Sequence, residues 1–265
     1  MKRYIPFLKS EPLVSVIRLQ GAIAANARSG ISDAGLAGAI EKAFAKGKPK
    51  AVALVINSPG GSPVQSALVA ARIRRLATEK EIPVHAFVED VAASGGYWLA
   101  CAGDDIWVDP SSIVGSIGVI SASFGFVEAM QKIGVERRVH TAGEDKSILD
   151  PFRPERAEDI DRLKDIQRDI HAAFIDHVKT RRGDRLADVD LFTGAFWTGA
   201  KGVDLGLADG IGHVVPKMKE LYGDKVRFAV HGPKKGLLSR FGTRVMEDMD
   251  LGLQERALYA RYGLS

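Results

Sequence analysis

Residues 83–104 read PVHAFVEDVAASGGYWLACAGD, and the way this stretch divides decides the fold. PVHAFVED (83–90) is an apolar run with β-branched residues, the pattern of a strand buried on both faces. YWLACAGD (97–104) fits a short buried helix. Between them stand only small residues, with Ser94 beside Gly95 and Gly96. A tight turn uses Ser-Gly-Gly because it is small. A nucleophile held at the mouth of a helix uses the same letters. Taken alone, the stretch leaves both readings open.

The same alternation continues on either side. VSVIRLQG (14–21) and AVALVIN (51–57) read as strands. SDAGLAGAIEKAFAKGK (32–48) reads as a helix with Ser32 and Asp33 as candidate caps, and VQSALVAARIRRLATEK (64–80) as a second. Further on, IWVD (106–109), VGSIGVIS (114–121) and ERRVHT (136–141) are predicted strands, and FVEAMQKIG (126–134) a helix. A long helix is predicted over 155–181, where Ile160, Leu163, Ile166, Ile170, Phe174 and Val178 form one apolar stripe. TGAKGVDLGLADGIG (198–212) reads as a glycine-punctuated helix and turn. Repeated strand–loop–helix units predict an α/β fold with parallel strands and right-handed connections. The final stretch, KKGLLSRFGTRVMEDMDLGLQERALYARYG, has mixed charge and amphipathic patches. It reads as a C-terminal helix packed on the body or on a neighbouring subunit, or as a patch touching a membrane or guiding substrate.

Composition narrows the function classes. There are 37 Lys plus Arg against 33 Asp plus Glu and no long basic block, which argues against a nucleic-acid partner. Cys101 is the only cysteine, so an intramolecular disulfide and a cysteine-cluster zinc site are excluded. Its apolar neighbours make it a buried structural thiol. The N-terminal residues carry charges and a proline with no apolar run of signal-peptide length, and no segment approaches the roughly 18 apolar residues of a membrane span. The expected location is cytoplasmic, with any membrane contact peripheral.

Three glycine turns follow predicted strands: NSPGGS (57–62), AASGG (92–96) and VGSIGV (114–119). In parallel α/β sheets, sites gather outside the carboxyl ends of strands. Gly60 and Gly61 lack a Cβ, so their amides can approach a ligand, and such amides can hold a developing oxyanion. Ser94 would place its Oγ near the same space. A strong serine nucleophile needs a base. None of the six histidines has a context suggesting one. A buried lysine can substitute. Lys146, in TAGEDKSILDPF, lies in a loop after a predicted strand, and spacing alone supports it only weakly.

VINSPGGS, DVAASGGYWLA, GSIGVI and GEDKS, in this order, resemble the signal peptide peptidase A family (peptidase family S49) over about residues 14–215. These are serine peptidases with a Ser–Lys dyad on a ClpP/crotonase-like fold of repeated β-β-α units. The resemblance implies Ser94 as nucleophile, Lys146 as general base, Gly61 and Gly95 as oxyanion-hole amides, and Ser116 as the group orienting the lysine. Gly60, Gly115, Ile117 and Gly118 would meet the substrate. It implies no cofactor and no metal, extended and mainly apolar peptide substrates such as signal-peptide remnants, and a homo-oligomer whose sites are shared between protomers. It further implies a peptidase domain over 1–215 and a C-terminal helical extension over 216–265. Lys146 must be neutral to act, and its ordinary pKa is about 10.4, so burial has to lower it by roughly three units. The strand around VGSIGV could offer its edge to an extended peptide.

Two departures stand out. Many members of the family begin with a membrane anchor, and none is expected here. Ser147 follows the lysine where aspartate is common, and Glu144 and Asp145 precede it; close to the amine, they would raise its pKa. Two rival functions remain: a crotonase-type acyl-CoA enzyme on the same fold, which normally works with carboxylates, and an inactive oligomeric peptide-binding scaffold. There is no G-x-x-x-x-G-K-[ST] motif, so no ATPase activity is expected of this chain.

Overall fold

The computed structural model describes residues 11–25, 30–232 and 255–264. Most of the amphipathic tail, including 234–254, lies outside the described residues. The chain divides into two compact units, one of residues 1–117 with 175–265, the other of 118–174.

The first unit is built on a largely parallel sheet. Strands β1 (Leu13–Gln20), β2 (Ala51–Ser58) and β3 (Val84–Ala93) pair in parallel at its centre. Next come β4 (Asp105–Val108), β5 (Ile113–Gly115), β6 (Phe196–Thr198), β7 (Gly210–Ile211) and β8 (Arg227–His231). The order β6-β5-β3-β2-β1-β8 runs across the sheet, and β4 with β7 extends it alongside β3. β2 is a continuous apolar run because both its faces are covered. Ala51, Ala53 and Val55 join Val14, Val16, Phe87 and Met218 in one core cluster. Val52, Leu54 and Ile56 point to the opposite face by strand alternation and are also buried.

Helix α1 (Asp33–Ala45) starts where Ser32 accepts the Gly35 amide at 3.3 Å. Asp33 has another task. It takes the Arg72 guanidinium of α2 (Pro63–Lys80) in two 2.7 Å bonds, and these hold its carboxyl below the usual carboxylate range. Helix α3 (Gly95–Ala100) follows β3 directly. Its Tyr97 is fully buried and donates to the Leu207 carbonyl at 2.8 Å. Cys101 is buried behind it, and burial pushes its thiol up to about 12. Iodoacetamide at pH 8 is therefore expected to leave the folded protein unlabelled and to label it after denaturation; rapid native labelling would contradict the packing.

The second unit holds α4 (Val127–Ile133), a 3-10 turn (Glu144–Ser147) and most of α5 (Ala157–Arg182). α4 buries none of its residues. Phe152 stacks on Phe126 at 5.4 Å and carries the Arg137 guanidinium 4.8 Å above its ring.

Three expectations change. Residues 136–141 form no strand; they are largely exposed, and no strand among the described residues pairs with them. The strand predicted over 114–121 ends at Gly115, because Ser116 turns to φ +53°. Its edge is also unavailable to a peptide: β3 pairs with β5 on one side and β6 on the other. Within the stretch read as a helical extension, β8 is a sheet strand paired with β1, and α6 (Gly199–Asp204) and α7 (Val214–Tyr222) precede it.

Candidate active site

The register between β2 and β3 shifts after Ile56, which faces Val88, so that Ser58 faces Ala92. This bulge lets β3 pair with β4 along 85–88 and with β5 along 91–93. Its end carries Ser94 into α3.

Ser94 has φ +52° and ψ −122°, a conformation that costs an L-residue energy. Its backbone is held firmly. The amide donates to the Gly115 carbonyl at 2.9 Å, and its own carbonyl accepts from Tyr97 and Trp98 at 2.9 and 3.0 Å. The side chain makes no capping bond to α3. The glycines beside it are small for packing reasons. A Cβ on Gly96 would lie 2.3 Å from the Ser58 carbonyl, and one on Gly95 2.4 Å from Ser66 Oγ. Packing accounts for the two glycines; it does not account for a serine held in strain whose side chain caps nothing on α3.

The SPGG turn comes up against this corner. Ser58 Oγ donates to the Gly21 carbonyl at 2.7 Å and accepts the Gly60 amide at 3.2 Å, fixing the turn. A Cβ on Gly60 would sit 2.9 Å from Ser94 Cβ. The Gly61 amide nitrogen is 3.4 Å from where a Cβ on Gly95 would stand. Neither the Gly61 nor the Gly95 amide has a hydrogen-bond partner among the described residues. On the other flank, Gly115 has φ +101° and lies against Trp197, and the Ser116 amide donates to the Ala195 carbonyl at 2.7 Å. Ile117, expected to meet the substrate, is fully buried, backbone included.

Thus Ser94, Gly60, Gly61, Gly95, Gly115 and Ser116 gather at the carboxyl ends of β2, β3 and β5. Lys146 and Gly118 belong to the second unit. There, Lys146 is exposed on the 3-10 turn. Asp145 beside it is engaged by Arg162 of α5 at 2.6 Å and by Arg156, just before that helix, at 3.8 Å, so its charge is matched. Ser147 accepts from Arg153 at 3.0 Å.

One neighbour left no mark in the local sequence pattern. Tyr262 Oη lies 3.3 Å from Ser116 Oγ and 3.5 Å from the Pro59 carbonyl. It lies 146 residues from Ser116 along the chain, in a tail whose pattern showed only amphipathicity. Among the described residues no three His, Cys, Asp or Glu side chains gather as metal ligands.

A serine at a strained strand-to-helix corner, facing glycine amides, is a layout that serine hydrolases use. The first unit's sheet is ClpP-like: the chain superposes on the 1510-N membrane-bound stomatin-specific protease with a TM-score of 0.51 at 14% identity, covering 85% of this chain and all of that one. The profile of peptidase family S49 matches residues 77–225, more than half the chain, and the chain belongs to that family. It is 34% identical over 172 residues to the chloroplastic serine protease SPPA of Arabidopsis thaliana, covering 62% of this chain and 24% of that protein. It is also 52% identical over 286 aligned positions to a Brucella melitensis protein named Na(+)/H(+) antiporter NhaA, of which it spans 39%. That name describes a protein more than twice as long. The chain spans well under two thirds of both relatives.

Proposed function

We propose that the chain is a serine endopeptidase in which Ser94 is the nucleophile and Lys146 the general base. The observation that carries this reading is the strained Ser94 corner, with its uncapped side chain beside the Gly61 and Gly95 amides. Ser94 Oγ attacks the scissile carbonyl carbon while its proton passes to the neutral lysine amine. The negative charge on the carbonyl oxygen falls to the two glycine amides. The lysine then protonates the leaving amine; the neutral lysine next takes a proton from water as it attacks the ester on Ser94, and returns that proton to Ser94 Oγ as the acid product leaves. Ser116 orients the lysine. Substrates are extended and mainly apolar peptides, signal-peptide remnants among them, met in the cytoplasm or at a membrane surface. Among the described residues no helix is long and apolar enough to cross a membrane.

A lysine base has to be neutral, and burial is what makes it so. Lys146 is exposed in the single chain. This favours a homo-oligomer in which the lysine of one protomer is buried at the serine of the next.

The test is hydrolysis of apolar fluorogenic peptides by Ser94→Ala, by Lys146→Ala, and by the two variants denatured and refolded together. Each alone is expected to be inactive. In a random mixture about a quarter of shared sites regain both groups, and activity returns to about that level. A Lys146→Ala variant within tenfold of wild type would remove the lysine from the mechanism. A mixture that stays dead would place both groups of each site in one chain.

A further inference from the structure

We propose that Tyr262 is a positioning residue of the active site, fixing the Ser116 hydroxyl so that it can accept an N–H from the base lysine. The proposal rests on the Ser94–Lys146 reading above and adds to it a residue from the far end of the chain.

Three contacts hold Tyr262 at this point. Its ring packs in a cluster with Val91 and Ala93, the residue just before Ser94. The same ring meets Phe196 edge-on at 5.1 Å, and Phe196 pairs with Gly115 across β5 and β6. Its hydroxyl reaches two oxygens, donating to the Pro59 carbonyl at 3.5 Å or to Ser116 Oγ at 3.3 Å. Pro59 leads into the Gly60–Gly61 turn, and Ser116 follows the carbonyl that holds the Ser94 amide. One phenol therefore joins the loops on either side of the nucleophile. Tyr259, one turn earlier, donates to the Asn57 carbonyl at 2.8 Å, and burial keeps its own hydroxyl protonated, with a pKa of about 12. The segment 255–264 is thus seated on the strand ends that build the site.

The chemistry follows from counting hydrogens. To take the proton of Ser94, the lysine amine must aim its lone pair at Ser94 Oγ, which requires an acceptor for one of its N–H groups. Ser116 Oγ is that acceptor only while its own hydrogen points elsewhere. A hydroxyl has one hydrogen and two lone pairs. The Pro59 carbonyl can only accept, so when the phenol donates to it, the Ser116 hydroxyl donates to Tyr262 Oη and every hydrogen is used. Ser116 then faces the amine with lone pairs alone. Without the phenol oxygen, the serine hydrogen is free to turn toward the amine and compete with Ser94 for its lone pair.

Tyr262→Phe removes that oxygen and keeps the ring. We expect kcat to fall about tenfold with KM within about twofold, since the lost contact orients a group in the chemical step. The rate at which a fluorophosphonate modifies Ser94 should fall in parallel, and the melting midpoint should hold. In the double variant with Ser116→Ala, the loss should be no greater than in Ser116→Ala alone, because Tyr262 acts through Ser116. A Tyr262→Phe enzyme within twofold of wild-type kcat, or losses that multiply in the double variant, would overturn the proposal. Failure of the underlying reading would show elsewhere, as activity surviving in Ser94→Ala, and would take this proposal down with it.

Discussion

Ser94→Ala is expected to abolish peptide hydrolysis, by about four orders of magnitude or more, without lowering stability. Both halves follow from the same corner. The backbone of Ser94 is fixed by Gly115, Tyr97 and Trp98, and none of these bonds needs the hydroxyl. The hydroxyl caps nothing on α3. Its removal should therefore leave the melting midpoint in place while removing the group that attacks the substrate. Ser94→Gly sharpens the test. Glycine adopts φ +52° without the penalty a Cβ brings, so this inactive variant should be more stable than wild type by about 1 kcal/mol. An active Ser94→Ala enzyme would refute the nucleophile. An inactive but destabilised one would return Ser94 to the packing role that its small neighbours have.

Asp209→Ala should have the largest effect on stability, about 3–5 kcal/mol, or a fall of about 10 °C in melting midpoint. Arg182, near the end of α5, is only 3% exposed. It donates to the Gly206 carbonyl at 2.9 and 2.8 Å and to the Asp209 carboxylate at 2.6 and 3.2 Å. Asp209 in turn accepts the Ile106 amide of β4 at 2.7 Å. Without the carboxylate, a buried guanidinium loses its counter-charge and a strand amide loses its acceptor. Burial opposes ionisation of Asp209, but the Arg182 guanidinium outweighs it and holds the carboxyl below its usual range. The contribution is therefore present above the unfolded value of about 3.9 and is lost as pH falls through the lower folded value. Urea titrations at pH 7 and pH 3 should differ less for Asp209→Ala than for wild type. Adding Arg182→Met should recover part of the loss by removing the stranded charge. Equal midpoints for wild type and Asp209→Ala would contradict the pair.

The parts of the fold that rest on local pattern were legible in the sequence. β2 and β3 announced themselves as apolar runs, and Ser32 marked the start of α1 where it caps it. The SPGG, ASGG and GSIG turns pointed to strand ends, and the structure brings the three together. Features set by pairing were not legible. ERRVHT has strand-like residues, yet a strand exists only with a neighbour to bond to, and none among the described residues pairs with it. VGSIGVIS reads as one strand, but its edge partner β6 comes from about 80 residues later in the chain, and the turn at Ser116 ends it early. Asp33 looked like a cap because nothing local reveals Arg72. Tyr262 carried no signal at all: a tyrosine in an amphipathic tail is identified only by the two loops it touches. The environment of Lys146 lies in the same class: its own turn leaves the side chain exposed, and the burial that the proposed role as base requires has no local signal.

The bulge in β3 has a consequence for how the molecule can vary. The chain leaves the sheet after β5 and rejoins it at β6, and these two strands pair directly, Gly115 with Phe196. Of the residues between them, 118–174, including the turn bearing Lys146, form a compact unit of their own, an insertion whose length the sheet does not register, while 175–195 return to the first unit, where Val178, Arg182 and Leu191 are buried. Lengthening such a loop costs little entropy, because closure depends only logarithmically on its size. The corner at Ser94 tolerates almost no change of volume, since a Cβ added at Gly60, Gly95 or Gly96 would come within 3.0 Å of a neighbouring atom, whereas residues 118–174 form a compact unit of their own. Sequence change can therefore accumulate within 118–174 without altering the packing of the corner where the serine sits.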